Sequence, residues 1–263
     1  MSYSCLEELQ VDLDLHTLDK TLVLSKAGRK YNNGWFVVTD DGNCHLFDKY
    51  GHLDDIKKIK HLKGKHIRKD IKKIIIPDSV ILIGNEIFNN CIDLTNVTIG
   101  NGIINTGKYA FSYCISLMSV TIPDNVTSID ERAFSNCNNL TNVTIGNGVT
   151  SIGEYAFAYC QGLTHVIIPN NVMSIGWGAF ECCGLTNVTI LNGVTSIGGY
   201  AFIGCNRLTS MTIPFSVTNI GYDTFYCCDK LTNLTFKGKT LEQVKKMKYY
   251  PWGIEDRSII RVE

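Results

Sequence analysis

The chain contains no long run of apolar residues. A membrane-spanning helix needs about 20 consecutive apolar residues, and no window of the 263-residue sequence approaches that length. Residues 6–24 carry five acidic side chains, which a secretory leader of ordinary design lacks. We therefore expect no membrane partner and a cytoplasmic location, or an extracellular or cell-surface one if a leader has been removed.

The chain also lacks motifs for catalysis or for cofactor and metal binding. It has no nucleophile elbow, phosphate-binding loop, dinucleotide-binding motif or zinc-protease helix. Acidic residues are too sparse in the centre to form a catalytic carboxylate pair. Of the 11 cysteines, those at regular spacing form no C-x-x-C pair. We expect no enzyme activity, no cofactor and no metal.

Charge is scarce in the long central part and concentrated before it. Residues 74–236 hold four basic and ten acidic side chains, whereas residues 52–73 hold nine basic and three acidic ones. We call residues 52–73 the basic collar. Its candidate contact residues are Lys57, Lys58, Lys60, Lys63, Lys65, Arg68 and Lys69. They indicate a site for an acidic protein or nucleic acid, or a merely solvated face around Ile56, Ile59 and Leu62.

A repeat of 23 residues is the strongest signal in the sequence. It is anchored on Cys91, Cys114, Cys137, Cys160, Cys183, Cys205 and Cys228, with one gap of 22 residues before Cys205. A phenylalanine stands three residues before each of these cysteines, and Ala precedes it in five of seven units. After the cysteine comes Leu-x-x-Val-x-Ile, as in Leu140, Val143 and Ile145. Such periodicity indicates a stacked repeat architecture.

Each unit predicts one rung of a solenoid. Leu-x-x-Val-x-Ile is a short strand that turns apolar side chains to one face. A Gly or Pro ends it, a second short extended piece follows, and Ala-Phe-x-x-Cys returns as a helical or 3₁₀ turn. The cysteines act as small apolar core residues. In the adjacent pairs at 182–183 and 227–228, we expect Cys182 and Cys227 to be the exposed members.

The unit resembles the BspA-like leucine-rich-repeat family, whose repeats read approximately LTSVTIPxSVTSIGxxAFxxC. The resemblance covers about residues 74–236, and the segment 239–254 looks like the terminal cap of such proteins. It implies a β-rich α/β solenoid, a right-handed stack of about seven rungs with short parallel strands. It also implies an association with adhesins and surface antigens.

Four regions follow from these patterns. Residues 1–51 are predicted to form a β-rich N-terminal cap, in which 35–38 and 44–47 flank a hairpin turn. Residues 52–73 form the basic collar and a degenerate first rung. Residues 74–236 form the solenoid. Residues 237–263 form a helical C-terminal cap, in which Thr240 and Gln243 have capping-box spacing.

Two surfaces of the solenoid are candidate partner-binding sites. On the strand side, solvent-facing positions form a column with Thr98, Thr121, Thr144, Thr189 and Thr212, interrupted by Ile167 at the fourth rung, and a polar column that includes His165 runs beside it. On the turn side, aromatic residues gather at Tyr109, Tyr113, Tyr155, Tyr159, Trp177 and Tyr200. Tyrosine and tryptophan are favoured at interfaces because they offer large contact areas. Either surface could also simply be the solvated exterior of the scaffold.

These features predict a non-catalytic scaffold that binds a protein inside a cell. One form of this hypothesis is an inhibitor, encoded by a phage or mobile element, of a host effector or defence nuclease. A second hypothesis is a secreted or surface adhesin for host matrix protein or glycan, as the family resemblance implies. A third is a binder of nucleic acid or an acidic partner through the basic collar. The sequence leaves the ligand and the oligomeric state open.

Overall fold

The computed structural model describes residues 22–26, 34–38, 43–48, 61–62, 72–76, 78 and 81–263. Side chains are described for residues 72, 74, 76 and 78 and from residue 81 onward. The seven candidate contact residues of the basic collar lie outside the described residues, as do residues 1–21. The collar hypothesis and the four region boundaries therefore stay predictions.

Three of the four N-terminal strands join the solenoid through a shared sheet, and the fourth pairs parallel with residues 82–83. The first four strands are β1 (Leu22–Lys26), β2 (Gly34–Val38), β3 (Asn43–Asp48) and β4 (His61–Leu62). Strands β1–β2 and β2–β3 pair antiparallel, and β2 and β3 flank the predicted hairpin turn. The next strand, β5 (Lys73–Ile76), pairs parallel with β3. The N-terminal cap is thus β-rich, as predicted, and it extends the sheet of the solenoid.

The repeats form a parallel stack with two columns of strands. The long strands are β5, β7 (Asn96–Ile99), β8 (Ser119–Ile122), β10 (Asn142–Ile145), β12 (His165–Ile168), β14 (Asn187–Ile190), β16 (Ser210–Ile213) and β18 (Asn233–Phe236). The short strands are β6 (Leu82–Ile83), β9 (Ser128–Ile129), β11 (Ser151–Ile152), β13 (Ser174–Ile175), β15 (Ser196–Ile197) and β17 (Asn219–Ile220). Parallel pairing joins equivalent residues, such as Asn142 with Ser119. Each repeat position therefore becomes a column along the stack, which confirms the predicted solenoid.

A stack of phenylalanine rings forms the centre of the core. The rings of Phe88, Phe111, Phe134, Phe157, Phe180, Phe202 and Phe225 are buried. Successive centroids lie 5.1 to 6.0 Å apart, and the planes of Phe111 and Phe134 are 1° from parallel. This spacing is close to the distance between paired strands. The rung-to-rung rise thus sets the ring contacts directly.

The cysteine column has a structural role that goes beyond filling space. The thiol of each cysteine from Cys114 to Cys228 in the repeat column donates a hydrogen bond to the carbonyl oxygen of the phenylalanine one rung earlier, for example Cys137 Sγ to Phe111 O at 3.2 Å. Most of these carbonyls also accept the backbone N–H of the cysteine in their own rung, as Phe111 O does from Cys114, so the thiol is a second donor to a buried acceptor that has two lone pairs. Burial raises the pKa of these thiols, as at Cys137 and Cys205. They are therefore held in the neutral form that can donate.

The returning segment of each rung consists of turns rather than a regular helix. Within 81–236, local bonds such as Cys114 N–H to Phe111 O span three residues, as in a 3₁₀ turn. The alternate amides point along the stack instead: Tyr109 donates to Glu131 O, and Phe111 donates to Ala133 O, at 2.9 and 2.8 Å. The segment thus bonds to the next rung as the strands do.

The last rung is closed by a short helix and an edge strand. Helix α1 (Leu241–Lys245) has the Thr240–Gln243 capping box, and it ends well before Pro251. Trp252 is buried, stacks 5.4 Å from Phe236, and accepts the amide hydrogen bond of Phe225 through its carbonyl. Strand β19 (Ile260–Val262) pairs parallel with β18. The Trp252 ring therefore covers Phe236 at the end of the core, and its carbonyl continues the inter-rung bonds as Ala133 does for Phe111.

Truncating one ring of the phenylalanine stack should destabilise the whole solenoid. Phe157 lies between Phe134 and Phe180 at 5.5 and 5.4 Å, so Phe157→Ala leaves a cavity with rigid walls. We expect the free energy of unfolding to fall by about 3–5 kcal/mol, measured by urea denaturation. The exposed Asn138→Ala is the control and should change it by less than about 0.5 kcal/mol. A loss below about 1 kcal/mol for Phe157→Ala would contradict the stack as the main core contact.

Candidate protein-binding surface

Two columns of residues on the turn side adopt the left-handed backbone conformation. The first column lies two residues before each phenylalanine: Glu86, Tyr109, Arg132, Tyr155, Gly178, Tyr200 and Asp223, with φ between 48° and 61°. The second lies two residues after it: Asn90, Tyr113, Asn136, Tyr159, Cys182, Gly204 and Cys227, with φ between 52° and 67°. This conformation directs the alternate amides along the stack. The inter-rung hydrogen bonds therefore require it.

The residues in these columns are not the ones that the backbone favours. Glycine adopts positive φ without strain, and asparagine tolerates it. Other residues are destabilised there by about 1–2 kcal/mol each. Gly178, Gly204, Asn90 and Asn136 fit this preference, but five tyrosines occupy the same columns. Those tyrosines do not stabilise the backbone, so their side chains must account for their presence.

One group of these residues is built around an arginine. The guanidinium carbon of Arg132 lies 4.5 Å from the ring centroid of Tyr155 and 5.6 Å from that of Tyr109. The hydroxyl of Tyr109 donates to Glu131 at 3.0 Å, and Lys108 forms a 3.2 Å salt bridge with the same carboxylate. These two bonds, that of Lys108 first, lower the pKa of Glu131. A cation is thus held between two rings of the first column.

A second group is purely aromatic and extends to the end of the molecule. Trp177 packs edge-to-face on Tyr200 at 4.7 Å, Tyr200 on Tyr222 at 5.9 Å, and Tyr222 on Tyr249 of the cap at 6.1 Å. Trp177, Tyr222 and Tyr249 are exposed. Edge-to-face rings of this kind are held without being buried, which fixes their orientation before any partner arrives.

The second column presents two further tyrosines to solvent. Tyr113 is 51% exposed and its side chain has no hydrogen bond or ring contact among the described residues. Tyr159 is 39% exposed, and its hydroxyl donates to Glu181 at 2.7 Å, which raises the pKa of the phenol to about 12. We call Tyr109, Tyr113, Tyr155, Tyr159, Trp177, Tyr200 and Tyr222 the tyrosine ridge. Six of these residues are the candidates named from the sequence, and their role in binding a partner stays a prediction.

The polar column of the strand side is also exposed. Thr98, Thr121, Thr144, Thr189 and Thr212 lie on the solvent face of the long strands in one column, in which the exposed Ile167 takes the fourth place; His165 is also exposed and lies in the neighbouring column, where it pairs with Asn187. The column ends at Thr235, which is buried where β19 pairs with β18. Threonine is favoured in strands because its branched side chain fits the pleated surface. The scaffold alone therefore accounts for this column, whereas it does not account for the tyrosine ridge.

Three residues that contact the tyrosine ridge were not predicted from the sequence: Arg132, Tyr222 and Tyr249. Arg132 stands one repeat after Tyr109 and one before Tyr155, so the 23-residue period itself marks its position. Tyr222 occupies the position of Trp177 two repeats later, which the same alignment shows. Tyr249 lies in the cap, outside the repeat, and no sequence signal places it in line with the ridge.

Two cysteines of the second column are accessible, as predicted. Cys227 is exposed and lines a depression of about 340 Å³ between the last rung and the cap, beside Tyr226, Asp229 and Asp256. Cys182 is half-buried over Gly204. The cysteines that follow them in sequence, at 183 and 228, are buried. Across the described residues, no three His, Cys, Asp or Glu side chains are grouped as a metal site would require.

Parallel stacked rungs, each with one long and one short strand and with apolar side chains at fixed inward positions, define a leucine-rich-repeat solenoid protein. The model of the BspA type leucine rich repeat region matches residues 66–183 and 173–251 of the chain, in six copies. The chain therefore belongs to this family. In the part of the chain that the structure describes, no helix has the length and apolar character to cross a bilayer.

Two solved structures of leucine-rich-repeat proteins match most of this chain. The T. pallidum leucine-rich-repeat protein is 22% identical, with a TM-score of 0.53, and the match covers 79% of this chain and 91% of that one. A leucine-rich-repeat protein of Bacteroides ovatus is 21% identical, with a TM-score of 0.41, and the match covers 79% and 76%. The first of these shares the fold. A comparison with curated proteins finds no match.

Burial predicts a simple pattern of thiol reactivity. Iodoacetamide reacts with the thiolate, and the buried cysteines are both inaccessible and held protonated. In the native protein at pH 8 we expect labelling of Cys182 and Cys227 and protection of the other seven cysteines of residues 81–263, measured by peptide mass spectrometry. Labelling in denaturant should reach all of them. Native labelling of Cys137 or Cys160 would show that the core opens freely.

The strain in the left-handed columns predicts that replacing an exposed tyrosine there by asparagine does not destabilise the protein. Tyr113→Asn places there the residue type that Asn90 and Asn136 already provide in the same column. Because the Tyr113 side chain makes no hydrogen bond or ring contact among the described residues, we expect the free energy of unfolding to stay the same or rise by up to about 1 kcal/mol. Tyr155→Asn is the comparison: it removes the Arg132 contact and should destabilise. A clear loss on Tyr113→Asn would show that Tyr113 serves the fold.

Proposed function

We propose that this protein is a non-catalytic scaffold that binds another protein through the tyrosine ridge. The observation that carries the proposal is the placement of Tyr113 and Tyr159, exposed side chains on a backbone conformation that disfavours them. Backbone strain at an exposed position is a sign of function when the surrounding fold does not need the side chain.

The dimensions of the ridge suit a protein partner. It crosses rungs from Tyr109 to Tyr222, five steps of the stack, which is about 24 Å at the spacing of paired strands. A standard interface buries about 800 Å² on each side, a patch of comparable width. Tyrosine, tryptophan and arginine are the residues that contribute most to protein–protein affinity. All three occur along the ridge.

Partner identity distinguishes the two forms of this proposal. An intracellular inhibitor would hold an effector enzyme, such as a nuclease of a defence system, and block its active site. A surface adhesin would hold a host matrix protein or glycan. Membership of the BspA type family supports a binding scaffold in either case.

Matched variants on the two surfaces test the proposal. The ridge variant combines Tyr113→Asn, Tyr159→Asn and Trp177→Ala, and the strand-side control combines Thr121→Ala, Thr144→Ala and Thr189→Ala. Each immobilised protein is exposed to host-cell lysate and to a panel of matrix proteins, and bound proteins are quantified by mass spectrometry. We expect a partner retained by the wild type and the control and reduced at least about 30-fold by the ridge variant, as loss of interface anchors implies.

Loss of the partner from the strand-side control, but not from the ridge variant, would overturn the proposal. A partner retained by the ridge variant and lost by the control would move the binding surface to the strand side. Circular dichroism and thermal unfolding of both variants establish that each is folded before capture. Recovery of a nuclease or other intracellular effector would support the inhibitor form, and recovery of matrix protein would support the adhesin form.

A further inference from the structure

The column of long strands has an open edge at β19. Among the described residues, β19 is the last strand of its sheet and pairs on one side only, with β18. Arg261, Val262 and Glu263 are exposed. The open edge of a strand presents backbone groups that pair with another strand unless charge, proline or a covering segment prevents it. The backbone groups and side chains of β19 therefore decide what this edge binds.

Val262 is the residue of β19 that faces the open edge. The N–H of Glu263 donates to Phe236 O at 2.9 Å, and Glu263 O accepts from the N–H of Gly238 at 2.6 Å. Both backbone groups of Glu263 thus point toward β18. Adjacent residues of a strand direct their backbone groups to opposite edges, so the N–H and C=O of Val262 point away from β18. They form a donor and an acceptor side by side at the open edge.

The side chain of Val262 lies on the core face of the sheet but is only partly covered. It is paired with Phe236 of β18. Phe236 is fully buried, whereas Val262 is 38% exposed. A second β19 placed antiparallel beside the first would bring another valine against it on the same face, and burial of apolar surface favours that contact.

Two opposite charges flank Val262 on the other face of the strand. Arg261 is paired with Thr235 of the outward column, and Glu263 follows two residues later, on the same face as Arg261. Neither side chain forms a salt bridge among the described residues. Like charges at both positions would repel a second copy of the strand. The opposite charges instead make the edge self-complementary, as an interface with twofold symmetry requires.

An antiparallel pair centred on Val262 satisfies all of these groups. The two Val262 residues then lie opposite each other and exchange both N–H···O bonds. Each Arg261 lies opposite Glu263 of the second copy, at the non-hydrogen-bonded position where side chains approach most closely. A centre one residue earlier would place Arg261 opposite Arg261 and would require the N–H of Ile260, which is bonded to Arg257 O. The charges and the hydrogen bonds therefore favour the same register.

We propose that two copies of this chain associate through the open edges of β19, in the antiparallel register centred on Val262. The inference does not depend on the tyrosine ridge. The contact involves residues 260–263 of each copy, far fewer than the about 20–30 residues of a standard interface, so the dimer exchanges with the monomer. It presents two tyrosine ridges in one particle, which raises the apparent affinity for a partner with more than one contact site.

Charge reversal at the two flanking positions tests the pairing. The full chain is studied by sedimentation velocity at low salt, from about 5 to 500 µM. We expect the average mass of the wild type to rise with concentration from that of the 29.3 kDa monomer toward twice that value. Arg261→Glu and Glu263→Arg each place like charges opposite at two points, so each should weaken association at least about tenfold.

A mixture of the two single variants provides the sharpest outcome. One variant carries acidic and the other basic side chains at both positions, so a pair formed from one copy of each has opposite charges at both points. We expect the equimolar mixture to associate within about threefold of the wild-type affinity, although neither variant associates alone. The combined Arg261→Glu with Glu263→Arg variant should also recover association.

Two further variants separate strand pairing from general attraction. Val262→Pro removes the outward N–H but no bond to β18, and it should abolish association. Arg207→Glu makes the same charge change at an exposed residue one rung before the last and should leave association within about twofold of the wild type. Thermal unfolding of each variant establishes that it is folded. A wild type that stays monomeric, a mixture that does not associate, or association that survives Val262→Pro would overturn the inference.

Discussion

The structure depends on hydrogen bonds that run along the stack at every side of the rung. Strands provide them on two sides, and the turn side provides them because two residues per rung adopt positive φ and direct alternate amides to the next rung. This fixes one rise for all parts of the rung. The same rise sets the spacing of the phenylalanine rings, of the thiol-to-carbonyl bonds and of the surface columns. A rung that lost its left-handed residues would leave inter-rung amides unpaired.

The same constraint distinguishes the two surfaces of the stack. On the strand side, a threonine satisfies both the backbone and the solvent, so its presence says nothing about a ligand. On the turn side, the backbone favours glycine or asparagine. A tyrosine there is retained against the local preference, at a cost that the inward columns offset by burial. Both surfaces are exposed and uncharged over most of their length, but only the turn side holds residues that its backbone conformation disfavours.

Much of the fold can be predicted because repetition averages out the errors of local prediction. The strand motif, the inward Phe and Cys columns and the hairpin before Asn43 are all readable from residue spacing. The left-handed columns are not, since a signal for positive φ normally comes from glycine or asparagine, and Tyr109 or Arg132 gives none. The contact of Arg132 with two tyrosines depends on side-chain direction across rungs, which spacing alone does not determine. Tyr249 joins the ridge through the cap, which follows no period.

Because every rung adds one residue to every column, equivalent surface residues recur at a constant distance along the stack. Duplication of a single repeat would lengthen the ridge by one step of about 5 Å and leave each existing core contact intact. Unequal exchange between such similar units could therefore change the distance between two contact groups without any new packing solution. The distance between the Arg132 group and the Trp177 group, for example, would grow by one step with each inserted rung, while the contacts within each group stay the same.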